Sequence, residues 1–217
     1  MNRPTVIYRW IVFLLAAFYC LRMIFFSSYA EVAGPFRFLT VWALFASFFC
    51  ASRMIALVEG RSTRRWDGIV GMTAVLNGMV VLLYWRLYFA DPRSVTPDGQ
   101  LGAAYLELYL HGLGPLLQWI DALFIHRSFR RPWVSLLALF AVIGAYICWI
   151  ELVVAPLNAT PRGTVTTGLP YPFLNNLPLA DRALFYVTNI AVAVVLLGIF
   201  CALAWAIRRR FPRPATL

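Results

Sequence analysis

The side chains able to do chemistry lie in a segment where lipid-facing residues would be expected. Residues 104–125 are long and apolar enough to cross a bilayer, yet they include Glu107, His111, Gln118 and Asp121. An ionisable group at the centre of an inserted helix costs about 2.5–3.5 kcal/mol, so such groups persist where they face a bundle interior, a cavity or a site. Positions 107, 111, 114, 118 and 121 advance by four, three, four and three, which is one stripe of a 3.6-residue helix. An imidazole held away from water suits a general base. Glu107, one turn earlier, could orient that ring or hold a charge at the mouth of a site. Gly112, Gly114 and Pro115 occupy the same turns, where a neighbouring backbone can come close and the helical hydrogen-bond ladder is interrupted. The stripe has a second reading, as polar contacts between packed helices worth about 1 kcal/mol each.

The elements that position these residues follow from composition. Only 13% of the residues are charged, and the mean hydropathy is +0.75. A soluble domain of this length needs far more polar surface, so the class is all-α integral membrane, a single domain over residues 1–217. All 19 basic residues are arginine, a bias that favours a bacterial source and hence the inner (plasma) membrane. The +10 net charge sits in short loops beside apolar segments, as topology signals and headgroup contacts do. No solvated basic face with groove-reading elements accompanies it, so nucleic acid is not an expected partner. Cys20, Cys50, Cys148 and Cys201 all fall in apolar segments without a CxxC pair and read as buried thiols.

Six spans are expected, at approximately 6–26, 38–58, 68–89, 104–125, 133–154 and 182–207. Each approaches or exceeds the roughly 20 residues that a bilayer core of about 30 Å requires. The first is too long for a signal peptide core and contains Arg22, so it reads as an uncleaved helix. Thr73 and Asn77 share a face of the third span, Glu151 lies in the fifth, and Pro156 is expected to close that fifth span. Thirteen arginines flank one side of the six spans and six the other, which predicts both termini in the cytoplasm. His126, beside Arg127 in a basic turn, reads as a snorkelling surface side chain, and Asp121 as a core carboxylate paired with an arginine or hydroxyl.

The connection 155–181 is long, rich in Pro, Gly and Thr, and contains the apolar run Tyr171, Pro172, Phe173 and Leu174. Loops of that length without a helical or strand pattern are often functional, and this one is expected to tuck back over the bundle mouth. A simple interfacial anchor is the other reading. The sequon Asn158-Ala159-Thr160, followed by Pro161, is disregarded as a glycosylation signal.

Three pieces taken together resemble the androgen-induced protein family: Arg37-Phe38-Leu39-Thr40 at the start of the second span, His111 within the fourth, and Thr167 to Leu174 before the sixth. That family includes the androgen-dependent TFPI-regulating protein and a bacterial branch of six-transmembrane proteins. Its animal members hydrolyse fatty acid esters of hydroxy fatty acids with an intramembrane threonine and histidine. The resemblance implies Thr40 as nucleophile and His111 as base. The animal proteins carry two histidines three apart, of which the second is catalytic. Alignment through Pro115 gives His111 that role; alignment on the first histidine puts Gly114 in its place.

A threonine hydroxyl attacks well only when a base within hydrogen-bond reach takes its proton. Thr40 and His111 differ in depth by roughly 6 Å at 1.5 Å per residue, which helix tilt absorbs. Supporting or substrate-binding groups are expected from Glu107, Asn77, Tyr171, Asn175 and Asn176, the last four as possible oxyanion donors. No metal cluster or phosphate loop is apparent, no cofactor is expected, and the partner is a membrane lipid or amphiphilic ester. The implied function is an intramembrane lipid-ester hydrolase. The alternative is a non-enzymatic small transporter or lipid-binding membrane regulator that shares the cavity.

Overall fold

The computed structural model describes residues 3–96, 99–100, 102–158 and 161–212. Arg213, one of the thirteen arginines of the expected topology, and Ala159 and Thr160 of the sequon lie outside them. The described residues form an all-helical protein with no strand and six helices long and apolar enough to cross a membrane. These are α1 (Arg3–Phe26), α2 (Leu39–Val58), α3 (Asp67–Ala90), α4 (Ala104–Ile125), α5 (Pro132–Leu157) and α6 (Leu179–Arg210). The chain is an integral membrane protein.

Helix α3 is the axis of the bundle. Residues 70–80 are buried without interruption, so this helix is apolar all round because neighbours surround it. Two glycines set how closely α5 approaches. A Cβ at Gly68 would lie 2.4 Å from the Val134 side chain, and one at Gly71 would lie 2.4 Å from Ser135 Oγ. Small residues at such crossings let helices gain dispersion contacts where lipid supplies no hydrophobic drive. Met54, Val75, Leu76 and Leu139 fill the core around this axis.

The arginine-rich end of the bundle is closed by polar contacts and buried rings. His126 is 2% exposed and its Nε2 lies 2.9 Å from Asp67 Oδ1, while Arg65 donates to the His126 carbonyl at 2.8 Å. This corrects the surface reading of His126: the turn after α4 folds inward, and Asp67 at the start of α3 gives the ring a partner. Phe129 adopts φ 65°, an unusual conformation for a bulky residue, and stacks on Phe200 at 5.8 Å. One turn deeper, Arg9 on α1 pairs with Asp121 on α4 at 2.9 Å and also donates to the Met54 carbonyl. Gln118 and Trp119 on α4 donate to the carbonyls of Val70 and Ala74 on α3. The inner half of the polar stripe therefore joins helices.

Two helices widen to π-helix just before a proline, and α4 widens again over Asp121–Ile125 at its end. In α4 the turn Tyr109–Leu113 widens to π-helix ahead of Pro115, and His111 within it takes φ −111° and ψ 15°. In α5 the turn Ile150–Val154 does the same ahead of Pro156. The fifth span ends at Leu157, one residue past Pro156, where Asn158 turns extended; the wide turn before it absorbs the missing amide and the ring.

At the opposite end, the described part of the 158–178 connection lies on the bundle. Leu169 and Leu174 are buried against Tyr146 and Ile150 of α5. Asn175 organises this lid. Its Oδ1 accepts from Thr166 Oγ1 at 2.9 Å and the Leu169 amide at 3.1 Å, and its Nδ2 donates to the Leu169 carbonyl at 2.9 Å. Gly168 is needed because a Cβ there would sit 1.9 Å from the Ala155 carbonyl oxygen. Glu31, in the α1–α2 connection, is clamped between Arg37 and Arg162, tying the lid to the start of α2.

Candidate functional site

Beneath the lid lies a cavity of about 320 Å³ with mostly apolar walls. Its lining draws on α2 (Leu39, Thr40, Val41), α3 (Met79, Val80, Leu83, Tyr84, Leu87), α4 (Leu106, Glu107, Leu110, His111), α5, the lid and α6. That volume is at the lower end of the range for small-molecule sites, and the predominance of apolar walls with a few convergent polar groups is typical of them.

Thr40 and His111 meet in its wall. Thr40 stands in the first turn of α2, after the short 3-10 turn Gly34–Arg37, and its Oγ1 is 3.3 Å from His111 Nε2. The two are 71 positions apart in the chain. The hydroxyl can donate when that nitrogen carries no proton, which is the arrangement a hydroxyl nucleophile and its base require.

Three contacts hold the histidine. Its ring lies flat on Tyr84, with centroids 3.5 Å apart and planes 5° from parallel. Nδ1 is 3.1 Å from Glu107 Oε2, an ion-pair distance, although the N–H does not point squarely at that oxygen and the atom lacks a well-aligned hydrogen bond. The distance is the more telling quantity, because a small turn of either side chain would align the bond. Finally, the Trp85 indole donates to the His111 carbonyl at 2.8 Å. In a regular helix that carbonyl would accept from the amide four residues on, which is Pro115 and has none. The indole satisfies an acceptor that the proline leaves open in the apolar interior.

Of the supporting residues expected from sequence, Glu107 and Tyr171 line the cavity. Burial pushes the Tyr171 phenol above its ordinary pKa, against smaller opposing effects of Tyr146 and the Leu39 amide, so it stands protonated as a donor near the start of α2. Asn77 does not reach the main cavity. It donates to Ser47 Oγ at 2.8 Å and borders a separate small void shared with Thr40 and Gly114. Asn175 is fully buried with its amide bonded within the lid, and Asn176 accepts from the Thr164 amide at 3.1 Å; neither lines the cavity. Oxyanion donors at those two positions would have to break bonds that shape the lid.

Several residues of the cavity wall, and Trp85 behind it, carry no sequence signal that singles them out. Tyr84 and Trp85 look like any aromatic pair near the end of a span. Tyr146 donates to the Arg37 carbonyl at 2.9 Å and so fixes the turn leading into Thr40. Tyr186 donates to Glu151 at 2.6 Å, beside the Arg182–Glu151 pair at 3.1 Å. Asn189 projects from α6 into the cavity wall and donates to the Phe185 carbonyl at 2.8 Å. Only the missing amide of Pro115 hints at one of them, since it requires some donor for the His111 carbonyl.

Gly114, three residues after His111, is where one of the two alignments would put a second histidine. A Cβ there would lie 3.0 Å from the Tyr109 carbonyl oxygen and 3.2 Å from the Tyr109 ring, which itself stacks on Tyr19 at 3.7 Å. A histidine at that position would have to displace backbone and ring together. His111 is the histidine in this cavity.

No curated protein and no solved structure matches the chain. A family model described as FAR-17a/AIG1-like protein matches residues 5–204, from the first turns of α1 almost to the end of α6. By a match over most of its length, including every element that builds the cavity, the chain belongs to the FAR-17a/AIG1-like family, the androgen-induced protein family.

Proposed function

We propose that this protein is an intramembrane hydrolase of lipid esters, with Thr40 as nucleophile and His111 as general base. The observation that carries the reading is the 3.3 Å approach of Thr40 Oγ1 to His111 Nε2 in the wall of a largely apolar cavity. Family membership supports it, because the animal relatives use a threonine and a histidine on fatty acid esters of hydroxy fatty acids.

The chemistry follows the general nucleophile–base sequence. Nε2 takes the proton from Thr40 as Oγ1 attacks the ester carbonyl. The tetrahedral intermediate collapses to an acyl-threonine, and the imidazolium returns its proton to the departing alcohol. Water, deprotonated by the same nitrogen, then attacks the acyl-threonine and releases the fatty acid. Glu107 at Nδ1 orients the ring and stabilises its charged form, the role an acid plays behind a catalytic histidine. The Tyr171 hydroxyl is the lid group best suited to donate to the oxyanion. The apolar walls hold the acyl chain and exclude bulk water.

The test is hydrolysis of a panel of lipid esters by purified protein, together with labelling by an activity probe for hydrolases with a hydroxyl nucleophile. Thr40→Ala and His111→Ala should abolish both while the protein still folds and elutes as wild type. Full hydrolysis by either variant would overturn the mechanism. A lipid-binding regulator using the same cavity would instead bind these esters without turnover in the wild type.

A further inference from the structure

The smaller void lies behind Thr40. Thr40 and Leu110 border both it and the main cavity, and Leu44, Ser47 and Asn77 join them in its wall. Its volume is about 10 Å³. One buried water needs roughly 10–15 Å³ and two or more polar partners.

The polar groups around this space have acceptors to spare and no free donor. Asn77 Nδ2 donates to Ser47 Oγ at 2.8 Å, and the Ser47 hydroxyl in turn donates to the Ala43 carbonyl at 2.9 Å. That chain fixes the orientation of the Asn77 amide, whose residue is 3% exposed, and leaves Oδ1 without a donor among the described residues. The Leu110 carbonyl is in a similar position. In a regular helix it would take the Gly114 amide, but across the wide turn that amide goes to the Tyr109 carbonyl, and Pro115 follows with none. Thr40 Oγ1, 3.3 Å from His111 Nε2, keeps acceptor capacity as any hydroxyl does. Acceptors gathered around a space for one small molecule call for a donor. Water supplies two hydrogens, whereas a cation would lie uncompensated, since no carboxylate is among the described residues bordering the void.

We propose that this void binds a single water, held by Asn77 Oδ1, which donates to Thr40 Oγ1 and so turns the threonine's own hydrogen toward His111 Nε2. The water site is a property of the folded chain; its use in aiming the nucleophile rests on the hydrolase reading. Asn77 is then a positioning residue that acts through water, which gives a role to a buried amide that does not reach the main cavity.

The experiment pairs a high-resolution structure of the full-length protein with ester hydrolysis, for the wild type, Asn77→Leu and Leu44→Met. The wild type should show an oxygen peak within hydrogen-bond distance of both Thr40 Oγ1 and Asn77 Oδ1. Asn77→Leu keeps the bulk and removes the acceptor, so it should lose the peak and lower kcat about tenfold or more with KM little changed. Leu44→Met removes no polar group, and its longer, flexible side chain can fill the void. In that variant kcat should fall only if the peak disappears. A wild-type structure without the peak overturns the site. Loss of the peak with wild-type kcat in either variant, or a lower kcat in Leu44→Met with the peak retained, overturns the positioning role. A wild type that holds the water and hydrolyses nothing refutes the hydrolase reading and leaves the water site standing.

Discussion

The indole N–H of Trp85 and the carbonyl of His111 meet at 2.8 Å, and the bond exists because Pro115 supplies no amide. Helix α4 is thus held in its widened turn from outside, by α3. Trp85→Phe keeps a large aromatic ring and removes the donor, leaving a carbonyl unsatisfied in the apolar interior. A buried unpaired acceptor costs about 1–3 kcal/mol. The variant should melt earlier than wild type and lose kcat more than it gains KM, since the ring position rather than the substrate pocket is disturbed. Thermal unfolding in detergent and steady-state ester hydrolysis check both parts; unchanged values would show that the bond holds nothing.

Glu107→Gln should lower kcat roughly tenfold or more while the protein remains folded, because the amide cannot stabilise the charged imidazole that forms as Thr40 attacks. Glu107→Asp, which keeps the charge on a shorter arm, should recover part of the loss. A kcat equal to wild type in the glutamine variant would remove Glu107 from the mechanism.

Gly114→His, which adds a second histidine three residues after His111, should not raise activity. Its Cβ would be 3.0 Å from the Tyr109 carbonyl oxygen. Overpacking of this kind costs about 1–3 kcal/mol. Expected readouts are reduced thermal stability and reduced hydrolysis. Higher activity with undiminished stability would show that α4 can host both histidines.

Asp121→Ala should be the most damaging of these changes to stability, because it strands Arg9, whose side chain is 6% exposed. Breaking one side of a buried pair costs about 3–5 kcal/mol, whereas replacing both sides with apolar residues is often neutral. The double variant Arg9→Met, Asp121→Leu should therefore be more stable than Asp121→Ala alone. The pair lies at the opposite end of the bundle from Thr40, so catalytic constants per folded molecule should be close to wild type in the double variant.

Asn175→Ala should loosen the lid. The side chain ties Thr166 and Leu169 together, and its loss leaves the Leu169 amide and carbonyl without those partners. Limited proteolysis should cut sooner within the 161–178 segment, and KM should rise more than kcat falls. If Asn175 were instead an oxyanion donor, kcat would fall by about a hundredfold or more with KM little changed.

Residue order by itself determines the all-helical membrane class, the six spans and the polar stripe on α4. Each depends on hydropathy over some twenty residues or on the 3.6-residue period, which are local properties of the chain. The prolines at 115 and 156 are equally plain in the sequence, but their consequence is not. Proline signals a lost amide, and only packing shows whether the helix ends beside it, as at Pro156, or widens and continues, as at Pro115.

The tertiary structure decided how the stripe divides. Gln118 and Asp121 bind α3 and α1, while Glu107 and His111 face a cavity, because different neighbours lie at the two depths of one helix face. It likewise decided that His126 is buried against Asp67, that Asn175 shapes the lid without lining the cavity, that Tyr84 and Asn189 line it, and that Trp85 holds the His111 carbonyl from behind. These are contacts between helices far apart in sequence. Their energies depend on which side chains the crossing of two helices brings within a few ångströms, and no local pattern encodes that.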